Sequence, residues 1–210
     1  MPREDVTAVI LAGGESIRMG RDKAMIAIDG VPLLARTAAL AGRVCAEVYV
    51  SGRDPGACLP GVPWFADATE RIGPMGGIMT ALTVLSCPIL VLSCDLPFMT
   101  EKILAKLITA RDQRHEDAVM TVYRHSQTGY IESLAAIYEP AALAYLRVAF
   151  EKESYKLSRA IPEGVRHHIP CRDDEAAVFF NVNRPEDLDR LGDCSLGACG
   201  PGQKTPSWRE

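Results

Sequence analysis

The sequence lacks several features that define common classes of protein. No apolar run approaches the roughly 20 residues that a membrane-spanning helix requires. The N-terminus carries mixed charge and reaches glycine too early for a secretory signal peptide. The net charge of −4 provides no general positive field that would attract nucleic acid or an anionic membrane. We therefore expect a cytoplasmic protein that binds neither nucleic acid nor membranes.

The cysteines and histidines form no recognisable catalytic or metal-binding pattern. None of the seven cysteines belongs to a C-x-x-C pair, and their odd number suits a reducing compartment better than a disulfide framework. The sequence therefore offers no Ser/His/Asp or Cys/His constellation for nucleophilic catalysis. The histidines fall in predicted helix-end, loop and strand contexts and are assigned no role: His115, His125, His167 and His168.

Two common nucleotide-binding signatures are also missing. The stretch LAGGESIRMGRDKA at 11–24 is neither the G-x-G-x-x-G of dinucleotide-binding folds nor the G-x-x-x-x-G-K-[ST] of P-loop proteins. It nevertheless places two adjacent glycines and three cations, Arg18, Arg21 and Lys23, directly after an apolar run. Glycine lets backbone amides approach phosphate oxygens closely. We therefore predict a loop that binds several negative charges, such as those of a triphosphate.

Apolar runs typical of buried strands alternate with segments of helical periodicity. The predicted strands of the first half are 6–12, 46–51, 88–94 and 117–123, and the helices between them are 31–44, 76–85 and 100–113. The second half predicts strands at 132–138 and 165–170, with helices at 140–150, 154–161 and 184–191. This alternation is typical of an α/β fold with a mainly parallel sheet. The residues 194–210 lack periodicity and are predicted to form a disordered tail.

A carboxylate follows the most apolar of the predicted strands. Asp95 stands at the end of the run ILVLSCD, and the carboxyl ends of parallel strands face the ligand crevice of an open sheet. Mg²⁺ typically takes one or two protein carboxylates and completes its shell with water and substrate phosphates. Asp95 is therefore a candidate magnesium ligand, and a turn or N-cap carboxylate is the structural alternative.

Three further features could belong to the same site. The glycines of GPMGGI, at 73–78, precede a predicted helix whose free amides could bind an anion, although a tight loop without a ligand would look the same. Asp67 follows another probable strand at 62–66, and a carboxylate can accept hydrogen bonds from guanine. In FNVNRPEDL, Asn181 and Asn183 alternate and would share one side of a strand, unless they are simply turn asparagines before a helix.

Taken in order, four motifs resemble those of nucleotidyltransferases with a GT-A-like Rossmann fold: LAGGESIRMGRDK, GPMGG, SCDLPF and FNVNRPEDL. Over roughly residues 6–192 the chain is most similar to the MobA-like molybdenum cofactor guanylyltransferases, which join GMP from GTP to molybdopterin. Gly13, where cytidylyltransferase relatives usually have alanine, and the ending NVNRPED favour the guanylyltransferase branch. The resemblance implies a three-layer α/β/α Rossmann-like domain over 1–193, with Mg²⁺ as cofactor.

The resemblance also implies roles for individual residues. Lys23 and Arg18 would stabilise the leaving pyrophosphate, and Asp95 would carry Mg²⁺. The nucleotide would be bound by Leu11, Ala12, Gly13, Gly14, Lys23, Ser51, Asp67 and Asp95. The acceptor would be bound by Gly76, Glu132, Asn181 and Asn183. The chain departs from the family at Ser51, where relatives often have asparagine, and at Glu132–Ser133, which replaces a polar residue followed by proline.

Three alternatives remain open at this point. The chain could be a molybdopterin cytidylyltransferase or a sugar- or polyol-phosphate nucleotidyltransferase of the same fold. It could also be a non-catalytic nucleotide-binding adaptor in molybdoenzyme maturation, with other maturation proteins or molybdoenzymes as partners. The joint presence of Lys23, Asp95 and Asn183 favours an enzyme, because a protein that only binds a nucleotide has little need of a metal carboxylate.

Overall fold

The structure, a computed structural model, describes residues 1–13, 22–69, 72–172, 174–183 and 187. Gly14, Arg18 and Arg21 lie outside the described residues, as do the predicted tail and, apart from Asp187, the predicted helix at 184–191. None of the described helices is long and apolar enough to cross a membrane.

A seven-stranded sheet occupies the centre of the fold, in the order β5-β4-β1-β6-β8-β7-β9. Its strands are β1 Thr7–Leu11, β4 Val48–Ser51, β5 Trp64–Phe65, β6 Ile89–Ser93, β7 Met120–His125, β8 Ile131–Tyr138 and β9 Arg166–Cys171. A separate hairpin joins β2 Ala27–Ile28 to β3 Val31–Pro32. Only β8 runs antiparallel to its neighbours in the seven-stranded sheet, so the predicted mainly parallel sheet is confirmed.

The helices are α1 Leu33–Ala41, α2 Pro74–Leu85, α3 Glu101–Asp112, α4 Ala142–Glu151 and α5 Leu157–Ala160. The hydroxyl of Thr100 accepts a hydrogen bond from the amide of Ile103 and caps α3, as the sequence predicts. Helix α1 begins later than predicted, because Val31 and Pro32 pair with β2 instead of continuing the helical pattern.

The two faces of the sheet are covered by different helices. Alternate residues of β1 point to opposite faces, so Ile10 packs in the same cluster as α1 and α3, whereas Val9 packs with α2, α4 and α5. In β6, Leu92 and Val91 divide in the same way. Burial on both faces explains why these strands read as continuous apolar runs. The arrangement is the expected three-layer α/β/α fold.

An ionic cluster ties the N-terminus to the second half of the domain. The buried Arg111 of α3 donates hydrogen bonds to Glu139, which follows β8, and to Asp5, which precedes β1, each at 2.7 Å. Arg3 binds both Asp5 and Asp112. The hydrogen bond from Arg3, followed by that from Arg111, holds the pKa of Asp5 well below its usual value against the opposing effect of burial. Removing one partner of such a cluster would leave a charge without compensation.

The topology gathers several strand ends at one edge of the sheet. Leu11 is in register with Ser51 of β4 and with Ser93 of β6, so three parallel strands end together. Because β8 runs the other way, it begins at this edge, where β7 ends. The carboxyl edge of parallel strands is where open α/β sheets bind their ligands.

Candidate functional site

Two glycines bring the loop after β1 against the loop after β4. A Cβ atom built on Gly52 would lie 2.5 Å from the Cα and 2.7 Å from the nitrogen of Gly13, and Gly52 has a φ of +94°. Both the close approach and the left-handed backbone therefore require glycine at position 52. The contact fixes the start of the glycine-rich loop beside the end of β4.

Asp67 lies beside these glycines and is held by Ser51. The hydroxyl of Ser51, a residue only 1% exposed, donates a 2.6 Å hydrogen bond to Oδ1 of Asp67. A Cβ on Gly13 would lie 3.1 Å from Oδ2 of the same carboxylate, and one on Gly77 would lie 2.8 Å from the Ser51 hydroxyl. Helix α2, the end of β4 and the loop after β1 thus enclose one oriented carboxylate.

Gly76 packs against the chain segment that carries Asp67. It is buried in the first turn of α2, and a Cβ there would lie 2.6 Å from the carbonyl oxygen of Thr69, two residues after Asp67. The absence of a side chain lets α2 approach the chain that carries Asp67. Its predicted role in acceptor binding stays a prediction.

A second group of side chains surrounds the end of β6. The hydroxyl of Ser93 donates a 2.6 Å hydrogen bond to Oδ1 of Asp95, and Nζ of Lys23 lies 3.6 Å from Oδ2. Lys23 also donates a 2.8 Å hydrogen bond to Oδ1 of Asn183. Three predicted site residues, far apart in sequence, therefore meet at the carboxyl end of the central strand. The thiol of Cys94 is buried beside them, and burial raises its pKa to about 12.

Lys23 is positioned by the residue before it. Asp22 caps a short 3₁₀ turn at Lys23–Met25 by accepting a 3.1 Å hydrogen bond from the amide of Ala24. The other carboxylate oxygen of Asp22 forms a 2.5 Å ion pair with Arg53, which follows Gly52. Arg53 therefore brings a cation to this edge that the sequence did not single out. Its position after a strand, in VSGRD, was the available signal.

The segment with the two asparagines differs from its prediction. Residues 180–183 form no strand and are joined to the sheet edge by a 3.0 Å hydrogen bond from the amide of Val182 to the carbonyl oxygen of Asp95. Val182 is fully buried and packs with Phe98 and Phe180. Burial of the valine, rather than strand pairing, fixes the two flanking asparagines. The side-chain oxygen of Asn181 is buried and has no hydrogen-bond partner among the described residues.

Glu132 lies at the same edge, in contact with a histidine. Nε2 of His125, the last residue of β7, donates a 2.6 Å hydrogen bond to Oε1 of the Glu132 carboxylate in β8. Burial raises the pKa of Glu132, and the hydrogen bond from His125 opposes this shift. The ring of His125 also packs against Tyr130 and Phe179, with ring centroids 5.9 and 6.0 Å apart. The sequence offered no signal for this contact.

The donor atoms of the second group suit a hard cation. The described residues contain no cluster of three or more His, Cys, Asp or Glu side chains that could hold a metal by themselves. Asp95 and Asn183 supply carboxylate and amide oxygens, and the side-chain Oδ1 of Asn181 is a buried acceptor with no hydrogen-bond partner among the described residues. This is the donor set of an ion that takes few protein ligands and completes its shell with water and phosphates.

Comparison with known proteins gives the family to which this fold belongs. A family model described as the MobA-like NTP transferase domain matches residues 8–175. The chain therefore belongs to the family of MobA-like NTP transferase domains.

Relatives of known name agree with this assignment. The chain is 31% identical over 195 residues to the molybdenum cofactor guanylyltransferase of Rhodobacter capsulatus, covering 90% of this chain and 95% of that protein. It is 32% identical over 192 residues to a molybdenum cofactor biosynthesis bifunctional protein of Synechocystis sp., covering 87% of this chain. The match spans about half of the bifunctional relative, 52% of its length.

A solved structure has the same fold. The molybdopterin-guanine dinucleotide biosynthesis protein A from Archaeoglobus fulgidus superposes with a TM-score of 0.74, covering 90% of this chain and 98% of that one. Its sequence identity is 23%, so the likeness establishes the fold alone.

Proposed function

We propose that the protein transfers GMP from GTP to molybdopterin, forming the guanine dinucleotide cofactor and pyrophosphate. The observation that carries this proposal is the pairing of two side-chain groups at one sheet edge. One group presents an oriented carboxylate, Asp67, to a base, and the other gathers Lys23, Asp95 and Asn183 for phosphates and a metal. The relatives named above as guanylyltransferases support the choice of substrates.

Asp67 reads the guanine base. Its Oδ1 is engaged by Ser51, and its Oδ2 faces Gly13 at the start of the glycine-rich loop. A carboxylate accepts hydrogen bonds from the N1–H and the 2-amino group of guanine, whereas cytosine presents an unprotonated N3 at the corresponding position. The backbone at Leu11–Gly13, followed by Gly14, binds the nucleotide, and Ser51 acts at the base end of this pocket.

The phosphates are bound at the Lys23 end of the site. The terminal phosphate oxygen of molybdopterin attacks the α-phosphorus of GTP, and the bond from that phosphorus to the bridging oxygen of pyrophosphate breaks. An ionised phosphate needs no strong general base, so the protein supplies position and charge. Lys23, with Arg18, neutralises the departing pyrophosphate. Asp95 holds Mg²⁺, which, when bound, withdraws negative charge from the phosphate oxygens.

Lys23 must change partners when GTP binds. Its ammonium group now lies between Asp95 and Asn183, where it balances the carboxylate. Phosphates would draw Lys23 away from this pair and leave the oxygens of Asp95 and Asn183 to the metal. The same cation thus keeps the carboxylate compensated before the substrate arrives.

The acceptor binds on the side of Asp95 that faces away from the GTP phosphates. Asn181 and Asn183 flank the buried Val182 and orient the acceptor phosphate, while Gly76 and Glu132 contribute to acceptor binding. We place this reaction in the cytoplasm, because an odd number of cysteines without a C-x-x-C pair suits a reducing compartment.

One experiment tests the proposal directly. The protein is incubated with Mg²⁺, molybdopterin and either GTP or CTP, and the products are identified by mass spectrometry. We expect the guanine dinucleotide and pyrophosphate from GTP and little product from CTP. Preferential use of CTP would identify a cytidylyltransferase, and nucleotide binding without any transfer to molybdopterin would favour the adaptor.

A further inference from the structure

The β7–β8 hairpin carries three neighbouring side chains, of which only Glu132 has been named above as a candidate for acceptor binding. His125 ends β7, Tyr130 immediately precedes β8 and Glu132 is the second residue of β8; we call these three residues the hairpin cluster. The hairpin is closed by hydrogen bonds from the amide of His125 to the carbonyl of Tyr130 and from the amide of Gly129 to that of His125. These hydrogen bonds therefore fix the backbone that carries the three side chains.

The cluster lies at the sheet edge that also carries Asp95. Leu92 of β6 is in register with Ala135 of β8, and these two strands are antiparallel. Asp95 follows Leu92 by three residues and Glu132 precedes Ala135 by three, so both residues lie beyond this last pair, toward the same edge of the sheet. A molecule whose phosphate lies at Asp95 can therefore extend its other end over the hairpin cluster.

A bulge turns Glu132 out of regular pairing. Between the pairs Val122–Ala136 and Arg124–Ile131, the single residue Tyr123 of β7 faces the four residues 132–135 of β8. The carbonyl oxygen of Ser133 within this bulge accepts a 2.8 Å hydrogen bond from the buried hydroxyl of Tyr138. Bulges of this kind re-aim side chains next to active sites. Here the bulge is anchored, so the position of Glu132 is fixed.

The chemistry of the cluster selects one kind of ligand. Glu132 has a side chain only 13% exposed, and within the described part of the chain its Oε1 accepts from His125 while Oε2 has no hydrogen bond. Beside it, Tyr130 is an exposed aromatic residue, with 58% of its surface accessible. A desolvated carboxylate repels a phosphate but accepts hydrogen bonds from N–H groups. An exposed aromatic ring offers a surface on which a flat ring can stack.

We infer that the hairpin cluster is the recognition site for the pterin ring of the acceptor, with Glu132 accepting hydrogen bonds from the pterin's adjacent 2-amino and N3–H groups and Tyr130 stacking on its face. His125 is a positioning residue that orients the carboxylate. This inference rests on the proposed function, because it assigns the ring of the acceptor to specific side chains. It gives Glu132 a defined group of the ligand to bind.

Two flat ring compounds test the inference without the full acceptor. Pterin has two adjacent donors, whereas lumazine carries a 2-oxo group in place of the 2-amino group and presents an acceptor to the carboxylate. Binding of 6-hydroxymethylpterin and 6-hydroxymethyllumazine to the full chain is measured by fluorescence titration. We expect the protein to prefer the pterin by about tenfold or more, since a buried hydrogen-bonding group rejects a mismatched analogue strongly.

Matched variants separate the contacts. Glu132→Gln keeps the shape of the side chain but can donate to the 2-oxo group, so the preference for pterin should vanish or reverse. Tyr130→Phe should keep the affinity for both compounds, and Tyr130→Leu should weaken both about equally. Glu163→Gln, an exposed carboxylate paired with Arg124, is the control and should leave the preference unchanged.

The outcomes distinguish this inference from the proposed function. Equal binding of pterin and lumazine, binding of neither, or an unchanged preference in a folded Glu132→Gln protein that still binds GTP would overturn the inference. Transfer of GMP to molybdopterin by the unaltered protein is measured separately. A protein that makes the dinucleotide without preferring pterin would retain the proposed function and lose the hairpin cluster as its pterin site.

Discussion

Ser51 and Asp67 are joined by a 2.6 Å hydrogen bond in which the buried serine hydroxyl donates to one carboxylate oxygen. Ser51 ends β4 and has almost no exposed surface, so under the proposed function its hydroxyl would act on the nucleotide chiefly through Asp67. The resemblance to guanylyltransferases implied nucleotide binding by Ser51. The structure adds a physical route by which a short side chain at this position influences base recognition.

Replacing Ser51 should therefore lower the selectivity for guanine more than it lowers the stability of the fold. In Ser51→Ala, Asp67 loses the hydroxyl that orients it and can rotate away from the guanine edge. We expect the preference for GTP over ITP, which lacks the 2-amino group, to fall by about tenfold, because hydrogen bonds to charged groups contribute about 1.5–3 kcal/mol. Relative kcat/KM for the two nucleotides measures the effect. Thr109→Ala, which removes an exposed hydroxyl of α3, should not change the ratio, and an unchanged ratio in Ser51→Ala would refute this role.

Gly77 should tolerate no side chain, because α2 packs closely against Ser51 and Leu11 at this position. A Cβ in Gly77→Ala would lie 2.8 Å from the Ser51 hydroxyl and 3.0 Å from Cδ2 of Leu11, so α2 or β4 must shift. We expect the affinity for GTP to drop by at least tenfold in an equilibrium binding assay. Gly164→Ala is the matched control, because a Cβ there meets no atom within 4 Å. Equal GTP binding by the two variants would contradict the packing.

The carboxylate of Asp95 should be essential for turnover. Asp95→Asn retains the size of the side chain and an acceptor for Ser93, but it removes the negative charge that a divalent cation requires. We expect GMP transfer to fall by at least about a hundredfold, corresponding to roughly 3 kcal/mol, with the midpoint of thermal unfolding little changed. Asp117→Asn, an exposed aspartate, is the control. Near-normal transfer by Asp95→Asn across a magnesium titration would remove Asp95 from its proposed role.

The ionic cluster around Arg111 predicts a loss of stability in acid. The pKa of Asp5 is lowered in the folded protein, mainly by the hydrogen bond from Arg3, and the pKa of Asp112 is lowered by the same residue. A depressed carboxyl pKa stabilises the fold above the unfolded-state value of about 3.9, and this contribution disappears as the pH falls through the lower folded-state pKa. Urea unfolding between pH 7 and pH 3 should show this decline. Asp5→Asn should have a lower free energy of unfolding at pH 7 and should lose less of it on acidification. Asp117→Asn should follow the unaltered protein. If the free energy of unfolding of Asp5→Asn and of the unaltered protein fell in parallel with pH, the linkage would be disproved.

The sequence predicted correctly those strands whose identity depends only on burial. The apolar runs ending at Leu11 and Ser93 are strands because a parallel sheet covered on both faces demands such runs. The direction of β8 was not predictable, since alternation identifies a strand but not its neighbours. The β2–β3 hairpin was missed although the sequence carries its signal: Asp29 and Gly30 have φ values of +52° and +76°, and Asp-Gly is a favoured hairpin turn.

The site was predictable only as far as its motifs reached. The resemblance brought Lys23, Asp95 and Asn183 into one proposal, and the structure places their side chains together. The partners that orient such groups are set by tertiary packing and have no sequence period. The hydrogen bond from His125 to Glu132 is of this kind, because it depends on a bulge that no local pattern indicates.

The contact between Lys23 and Asn183 joins residues that are 160 positions apart. During synthesis on the ribosome, β1, the Ser51–Asp67 pair and Asp95 all emerge before Asn183 does. A nascent chain can therefore build most of its sheet and orient Asp67 while Lys23 still lacks its amide partner. The Ser51–Asp67 pair is therefore complete before the Lys23–Asp95–Asn183 group. A premature stop shortly before Asn183 would yield a chain with the first and without the full second group.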